Sequence, residues 1–206
     1  TLWLLLYLIF KGQFKQTIGK IKSRSGSFIM LGALLGGPVG MTGYLLAIKY
    51  LGPAYTAIIS SLYPALGALL SYLFLKEKMK KSNMVGLMIS ILGIIILGYS
   101  PQGMPTHLMM GFIFALLCVF GWASEAVICS YGMKGDELTP NQSLFIRQLT
   151  SAITYGVIII PLIKGVNFTL ATLSDQSLLL IMLTALAGTL SYSFYYKAIH
   201  KIGATK

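Results

Sequence analysis

The sequence has few charged residues: Asp, Glu, Lys and Arg together make up 10% of its 206 residues, and only five are acidic. A soluble domain carries about 25% charged residues. This shortage, with 56% hydrophobic residues and a mean hydropathy of +0.78, excludes an ordinary soluble protein. It predicts an all-α, polytopic membrane protein, because a helix of roughly 20 apolar residues can cross the hydrocarbon core.

Cysteine and histidine are scarce as well. Cys118 and Cys129 fall in one predicted helix, where eleven residues at about 1.5 Å each place them roughly 16 Å apart, too far for a disulfide. His107 and His200 fall at predicted helix ends, without a second ligand at metal spacing. With no Ser/His or Asp/Asp pair in the pattern, we expect no metal site, no cofactor and no enzyme activity.

Apolar runs predict six spanning helices and one shorter apolar segment, 1–10, that resembles the tail of a helix. The connector 164–176 is longer and polar, and we expect it at the membrane surface. The six predicted spans are 28–49, 53–75, 83–100, 107–131, 143–163 and 177–200.

The net charge of +11 raises the question of nucleic-acid binding, but the basic residues sit in short loops between apolar runs. Of the sixteen, all but Lys49 and Lys164 fall on one side of the predicted spans, in alternate loops or close to them, which is the pattern of the cytoplasmic side. We therefore expect the protein to contact a lipid bilayer and not to bind nucleic acid. We expect it to be a multi-pass protein of a bacterial inner membrane. The sequence is compatible with a homo-oligomer and does not define one.

Two segments, GGPVGMTGYLLAIKYLGPA (36–54) and AGTLSYSFYYKAIHKIGAT (187–205), match at a constant offset of 151 residues. The offset pairs Gly37 with Gly188, Tyr44 with Tyr195, Ala47-Ile48 with Ala198-Ile199, and Gly52 with Gly203. The two copies fall in the first and the sixth predicted span, five helix steps apart, and because five is odd they cross the membrane in opposite directions. Such a pair is typical of inverted-repeat transporters.

The segment from Ala47 to Leu97 resembles the second half of an EamA repeat, the unit of the drug/metabolite transporter superfamily. It has the A-x-x-Y-L-G-P-A turn and a helix with Ser-x-x-Pro. A Glu among lysines ends that helix, and a glycine-rich helix follows. The residues concerned are Ser61, Pro64, Glu77, Gly86, Gly93 and Gly98.

The resemblance implies ten helices in two inverted five-helix repeats. On that pattern, residues 1–100 form a first repeat lacking its first helix and part of the second. Residues 107–206 form a second repeat lacking its last two helices. We therefore expect the chain to be a fragment of such a transporter, truncated at both ends.

Four further segments resemble the choline permeases of the bacterial lic locus, which belong to the same family. The resemblance implies an aromatic-lined site, a carboxylate within the membrane and a small quaternary ammonium substrate. The segments are ALLGGPVGM (33–41), GWASEAVICSYGMK (121–134), LFIRQLTSAITYGVII (144–159) and SYSFYYKAI (191–199).

Glu125 is a carboxylate in an otherwise apolar helix. Because a charge in the membrane is costly, such residues usually have a functional role. Trp122 lies three residues before it and therefore on the same helix face, an arrangement that suits a quaternary ammonium. A carboxylate that binds either a proton or the substrate would also couple their transport. The alternatives are a structural ion pair with Arg147, at similar depth in the next helix, and a carboxylate that faces a cavity without a role.

Tyrosines in the repeat-related helices and before Pro64 are further candidates for substrate binding: Tyr192, Tyr63, Tyr195 and Tyr44. Tyr44 and Tyr195 are expected nearer the membrane faces than the others. Pro64 should interrupt its helix and release a carbonyl near residue 60. Three glycines, Gly32, Gly36 and Gly40, have the spacing of close helix packing.

These patterns predict a secondary transporter of a small organic solute. We expect choline or a similar cation, carried by alternating access that is proton-linked or of the exchange type. Two alternatives stay open at this stage: a transporter of another metabolite, such as amino acids or drugs, and a membrane scaffold that transports nothing.

Overall fold

The computed structural model describes residues 1–76, 81–98, 107–135, 137–174 and 177–203, and within them the chain is helical, as predicted. Helices are joined by short turns, and no strand occurs in these ranges. The helices are α1 (Leu2–Phe10), α2 (Phe14–Lys20), α3 (Arg24–Leu51), α4 (Pro53–Leu75), α5 (Lys81–Gly98), α6 (Leu108–Gly132), α7 (Pro140–Leu162), α8 (Val166–Ser174) and α9 (Ser177–Ile202).

Five of these helices, α3, α4, α6, α7 and α9, are long and apolar enough to cross a membrane. Their surfaces carry large apolar side chains that water would not favour, such as Phe74, Leu179 and Phe194, each at least two-thirds exposed. The chain is therefore a multi-pass membrane protein. The predicted span 83–100 corresponds to α5, and residues 99 and 100 lie outside the described residues.

Helix α8 occupies most of the connector 164–176, for which the sequence predicted only a position at the membrane surface. Glu77, the connector 100–105 and Asp136 lie outside the described residues.

The ends of α7 and α3 show how local chemistry sets helix limits. Thr139 caps α7: its Oγ1 accepts from the Gln142 amide at 3.4 Å, and the Gln142 Oε1 accepts from the Thr139 amide at 3.0 Å. At its C-terminus, α3 ends at Leu51 and is followed by Gly52. The φ of 83° and ψ of 165° at Gly52 are angles that only glycine adopts readily.

Three spanning helices contain π-helical segments: Leu35–Met41 in α3, Ser71–Leu75 in α4 and Tyr155–Ile159 in α7. The segment in α3 contains Pro38, which cannot donate a backbone hydrogen bond. Such widened turns occur often at functional sites, because they redirect side chains and carbonyls.

The described chain forms two compact units, each with its own packing. The first comprises Thr1–Leu34 and Gly132–Lys201. In it the first part of α3 packs along α7, burying Ile29 and Phe145, and the Ser151 hydroxyl donates to the Ala33 carbonyl at 3.4 Å.

The second unit comprises Leu35–Tyr131 with Ile202 and Gly203. Its core cluster joins α3 to α6 through the buried side chains of Ala47, Leu51 and Ala115. The two units do not coincide with the predicted repeats, 1–100 and 107–206, and the inverted repeat stays a prediction.

Candidate functional site

One face of α6 carries a stripe of side chains at spacings of three and four residues: Ala115, Cys118, Trp122, Glu125 and Cys129. Ala115, Cys118 and Cys129 are almost completely buried, and Glu125 is only 6% exposed. Trp122, on the same stripe, is half-buried. A buried carboxylate therefore lies one helical turn from a partly accessible indole.

Gly36 of α3 lies against the side chain of Glu125. An added Cβ at Gly36 would overlap the Glu125 carboxylate and would lie 2.7 Å from the Glu125 Cβ. The Glu125 side chain thus occupies space that exists because residue 36 has no side chain.

Trp122 is held by the same segment of α3. Its Nε1–H donates to the Gly36 carbonyl at 3.1 Å. An added Cβ at Gly40 would lie 2.9 Å from the indole Cδ1, so Gly40 also gives the ring its room. Gly36 and Gly40, two of the glycines predicted to pack helices together, therefore contact the two side chains that are predicted to bind the substrate.

Two tyrosines complete an aromatic cluster around Trp122. The Tyr44 ring lies 5.3 Å from the indole centroid with planes at 33°, and the Tyr63 ring lies 5.5 Å away at 86°, an edge-to-face contact. Both tyrosines are half-buried. Tyr44 lies beside Trp122, although it was expected nearer the membrane face than Tyr63.

Tyr63 follows directly on the helix interruption predicted from Pro64. The regular part of α4 stops at Ser60 and resumes at Tyr63, with a turn at Ser61 and Leu62. The Ser61 hydroxyl donates back to the Ile58 carbonyl at 2.7 Å, so the interrupted turn is stabilised locally. This turn brings Tyr63 to the indole.

Comparison with known proteins identifies the family. The model of the EamA-like transporter family matches residues 1–99 and 109–206. This chain belongs to the EamA-like transporter family. It is also 39% identical over 176 residues to Protein LicB of Haemophilus influenzae (strain ATCC 51907 / DSM 11121 / KW20 / Rd); the match covers 85% of this chain and 59% of that protein. The family consists of transporters, which agrees with the absence of an enzyme motif in the sequence.

The remaining predicted residues of this EamA protein lie in its other compact unit. The Arg147 guanidinium of α7 stands 4.9 Å from the centre of the Tyr192 ring, a cation–π contact. Tyr192 and Tyr195 are edge-to-face at 6.0 Å on α9. The ion pair of Glu125 with Arg147 stays a prediction, because they belong to different units. Gly32 is buried in α3 of the first unit.

Sequence reasoning missed the polar side chains next to Arg147. The Gln148 Nε2–H donates to the Thr189 hydroxyl at 3.5 Å, and its buried Oε1 accepts no hydrogen bond from the described residues. Closer to the loop, the Ser193 hydroxyl donates to the Asn141 Oδ1 at 2.8 Å. Gln148 within an apolar run could have indicated this polar contact in the sequence, since polar groups at membrane depth are costly unless paired.

Proposed function

We propose that this EamA protein is a secondary transporter that carries choline or a similar quaternary ammonium cation across a bacterial cytoplasmic membrane. One observation carries the proposal: a cluster of three aromatic rings, Tyr44, Tyr63 and Trp122, stands one helical turn from the buried carboxylate of Glu125. The resemblance of four sequence segments to lic-locus choline permeases supports the same substrate class.

The chemistry of a quaternary ammonium explains why this set of residues suits it. Its methyl groups cannot donate hydrogen bonds, so it is recognised by aromatic rings and by opposite charge. An indole fixed through its N–H keeps its orientation without loss of side-chain entropy on binding. Glu125 supplies the negative charge that balances the cation in a medium of low dielectric constant.

The depth of Glu125 fits a site reached from within the bundle. It lies seven residues before the end of α6, roughly 10 Å along the helix. We propose that alternating access of the two repeats exposes this site to each side in turn. A carboxylate that exchanges a proton for the cation would make this transport proton-linked.

Uptake of labelled choline tests the proposal, using the full-length protein in cells without other choline uptake. We expect saturable uptake by the wild type. In Glu125→Gln we expect a fall in kcat/KM of at least about tenfold, since a lost charge contact of ~1.4 kcal/mol has that effect. The pH dependence of uptake should disappear in the same variant. Glu137→Gln removes a carboxylate of the α6–α7 loop and serves as the matched control with unchanged uptake.

Three results would contradict the proposal. Uptake by Glu125→Gln at the wild-type rate and pH dependence would leave Glu125 a structural residue. Absence of choline uptake by the wild type would exclude choline as the substrate and would favour another metabolite. The family membership would still hold. A wild type that neither accumulates nor exchanges any of a broad set of labelled solutes would favour the scaffold alternative.

A further inference from the structure

The widened turn of α3 contacts both candidate site side chains through a single residue, Gly36. Its missing side chain leaves the space that Glu125 fills, and its carbonyl oxygen accepts the Trp122 Nε1–H at 3.1 Å. The two contacts are different in kind, one steric and one a hydrogen bond. Helix packing alone would require the first contact and not the second.

We propose that Gly36 is a positioning residue of the cation site, which sets the distance between the Glu125 carboxylate and the Trp122 indole. This inference rests on the proposed function for its substrate, but its geometry is independent of the substrate. Because one backbone position contacts both groups, a shift of α3 past α6 would change both contacts together.

The π-helical turn explains how Gly36 can contact both the Glu125 side chain and the Trp122 indole. Gly36 lies within Leu35–Met41, where the wider helix and Pro38 change the direction of the backbone carbonyls. The Gly36 carbonyl accepts the indole N–H in this segment. An alanine there would meet the Glu125 Cβ at 2.7 Å, and a Cβ cannot rotate away from the overlap. The backbone of α3 or α6 would have to shift.

Three glycine variants of the full-length protein separate positioning from packing. Gly36→Ala disturbs both candidate groups. In Gly43→Ala the new Cβ would lie 2.9 Å from the Phe114 carbonyl and would contact neither Glu125 nor Trp122. In Gly67→Ala the new Cβ would stay 3.9 Å from its nearest neighbour, Ala123, and serves as the neutral control.

Two measurements are made on each variant: the KM for choline, and the ¹⁵N–¹H resonance of the Trp122 indole, assigned by its loss in Trp122→Phe. We expect Gly36→Ala to shift the indole resonance and to raise KM at least tenfold. Gly67→Ala should change neither, and Gly43→Ala should lower thermal stability while leaving the indole resonance in place. An unshifted indole resonance in Gly36→Ala, or an equal shift in Gly43→Ala, would overturn the positioning role.

A second-site variant covers the case in which Gly36→Ala does not fold. Gly36→Ala combined with Glu125→Gly transfers the missing side chain from α3 to α6 and removes the overlap. We expect the double variant to recover the folded yield of Glu125→Gly alone, and a failure to recover it would overturn the steric part of the proposal. If wild type takes up no choline, the substrate fails while the indole resonance and the folded yield still decide the role of Gly36.

Discussion

At the scale of single residues, Glu137 shows how a charge outside the membrane holds a loop. Hydrogen bonds from the side chains of Ser25 and then Ser23 lower the pKa of its carboxyl below the ordinary value of 4.5, with a smaller contribution from the charge of Lys20. The Lys20 ammonium also donates to the Glu137 carbonyl. The carboxylate thus ties the α6–α7 loop to the first turn of α3 and to Ser23 just before it.

A lowered pKa in the folded protein means that the ionised carboxylate stabilises the fold. The stabilisation is present above pH 4.5 and is lost as the pH falls from there through the lower folded-state pKa. We expect Glu137→Gln to have a slightly lower thermal midpoint than wild type at pH 7 and an equal one in strong acid. Midpoints of the purified protein in detergent at pH 7, 4.5 and 3 measure this difference.

Ser25→Ala provides the control for this contact. It should lower the midpoint as Glu137→Gln does, and the double variant should lose little more than either single one. A difference between wild type and Glu137→Gln that stayed constant from pH 7 to pH 3 would contradict the assignment.

The candidate site was predictable from the sequence only where its residues are neighbours along one helix. A spacing of three residues places Trp122 and Glu125 on one helix face, and both side chains contact Gly36 of α3. The contacts of Trp122 with Tyr44 and Tyr63 depend on the register of three helices, which no local pattern contains. For the same reason Gly36 was predicted as a packing residue, without its two particular partners.

At the scale of the element, the glycine that ends α3 carries a specific conformational requirement. Gly52 has φ 83° and ψ 165°, and Gly203, its partner at the offset of 151 residues, also has a positive φ of 82° after the end of α9. We expect Gly52→Ala to destabilise the protein by roughly 1–3 kcal/mol, because a Cβ is strained in this region. Thermal unfolding in detergent measures the loss.

The matched control is Gly188→Ala, inside α9, where an added Cβ meets no atom within 4 Å. That change should cost nothing, because alanine favours a helix more than glycine does. The related Gly203→Ala should resemble Gly52→Ala if the two turns are copies. Equal stability of Gly52→Ala and wild type would argue against strain at this turn.

Helices were predictable where the hydropathy of a long run was decisive. The runs that became α3, α4, α6, α7 and α9 were found with ends a few residues off. Helix α8 was missed because its sequence, VNFTLATLS, is short and rich in residues of modest helix propensity. The π-helical segments have no hydropathy signal, and only Pro38 marked one of them.

At the scale of the whole molecule, the orientation of the predicted inverted repeat depends on how often the chain crosses the membrane between Lys49 and Lys201. Among the described residues of this stretch, helices α4, α6, α7 and α9 are long and apolar enough to cross, and together they would make four crossings. Helix α5 would make the fifth. Five crossings place the two lysines on opposite sides, and four place them on the same side.

Labelling of single cysteines decides between these counts. In a background with Cys118 and Cys129 replaced by alanine, Lys49→Cys and Lys201→Cys each place one thiol at an exposed position. The charge pattern puts Lys49 outside and Lys201 in the cytoplasm. We therefore expect a membrane-impermeant maleimide to label Lys49→Cys in intact cells, and Lys201→Cys only after the membrane is opened. Labelling of both in intact cells, or of neither, would mean that α5 does not cross and that the two glycine turns are not inverted copies.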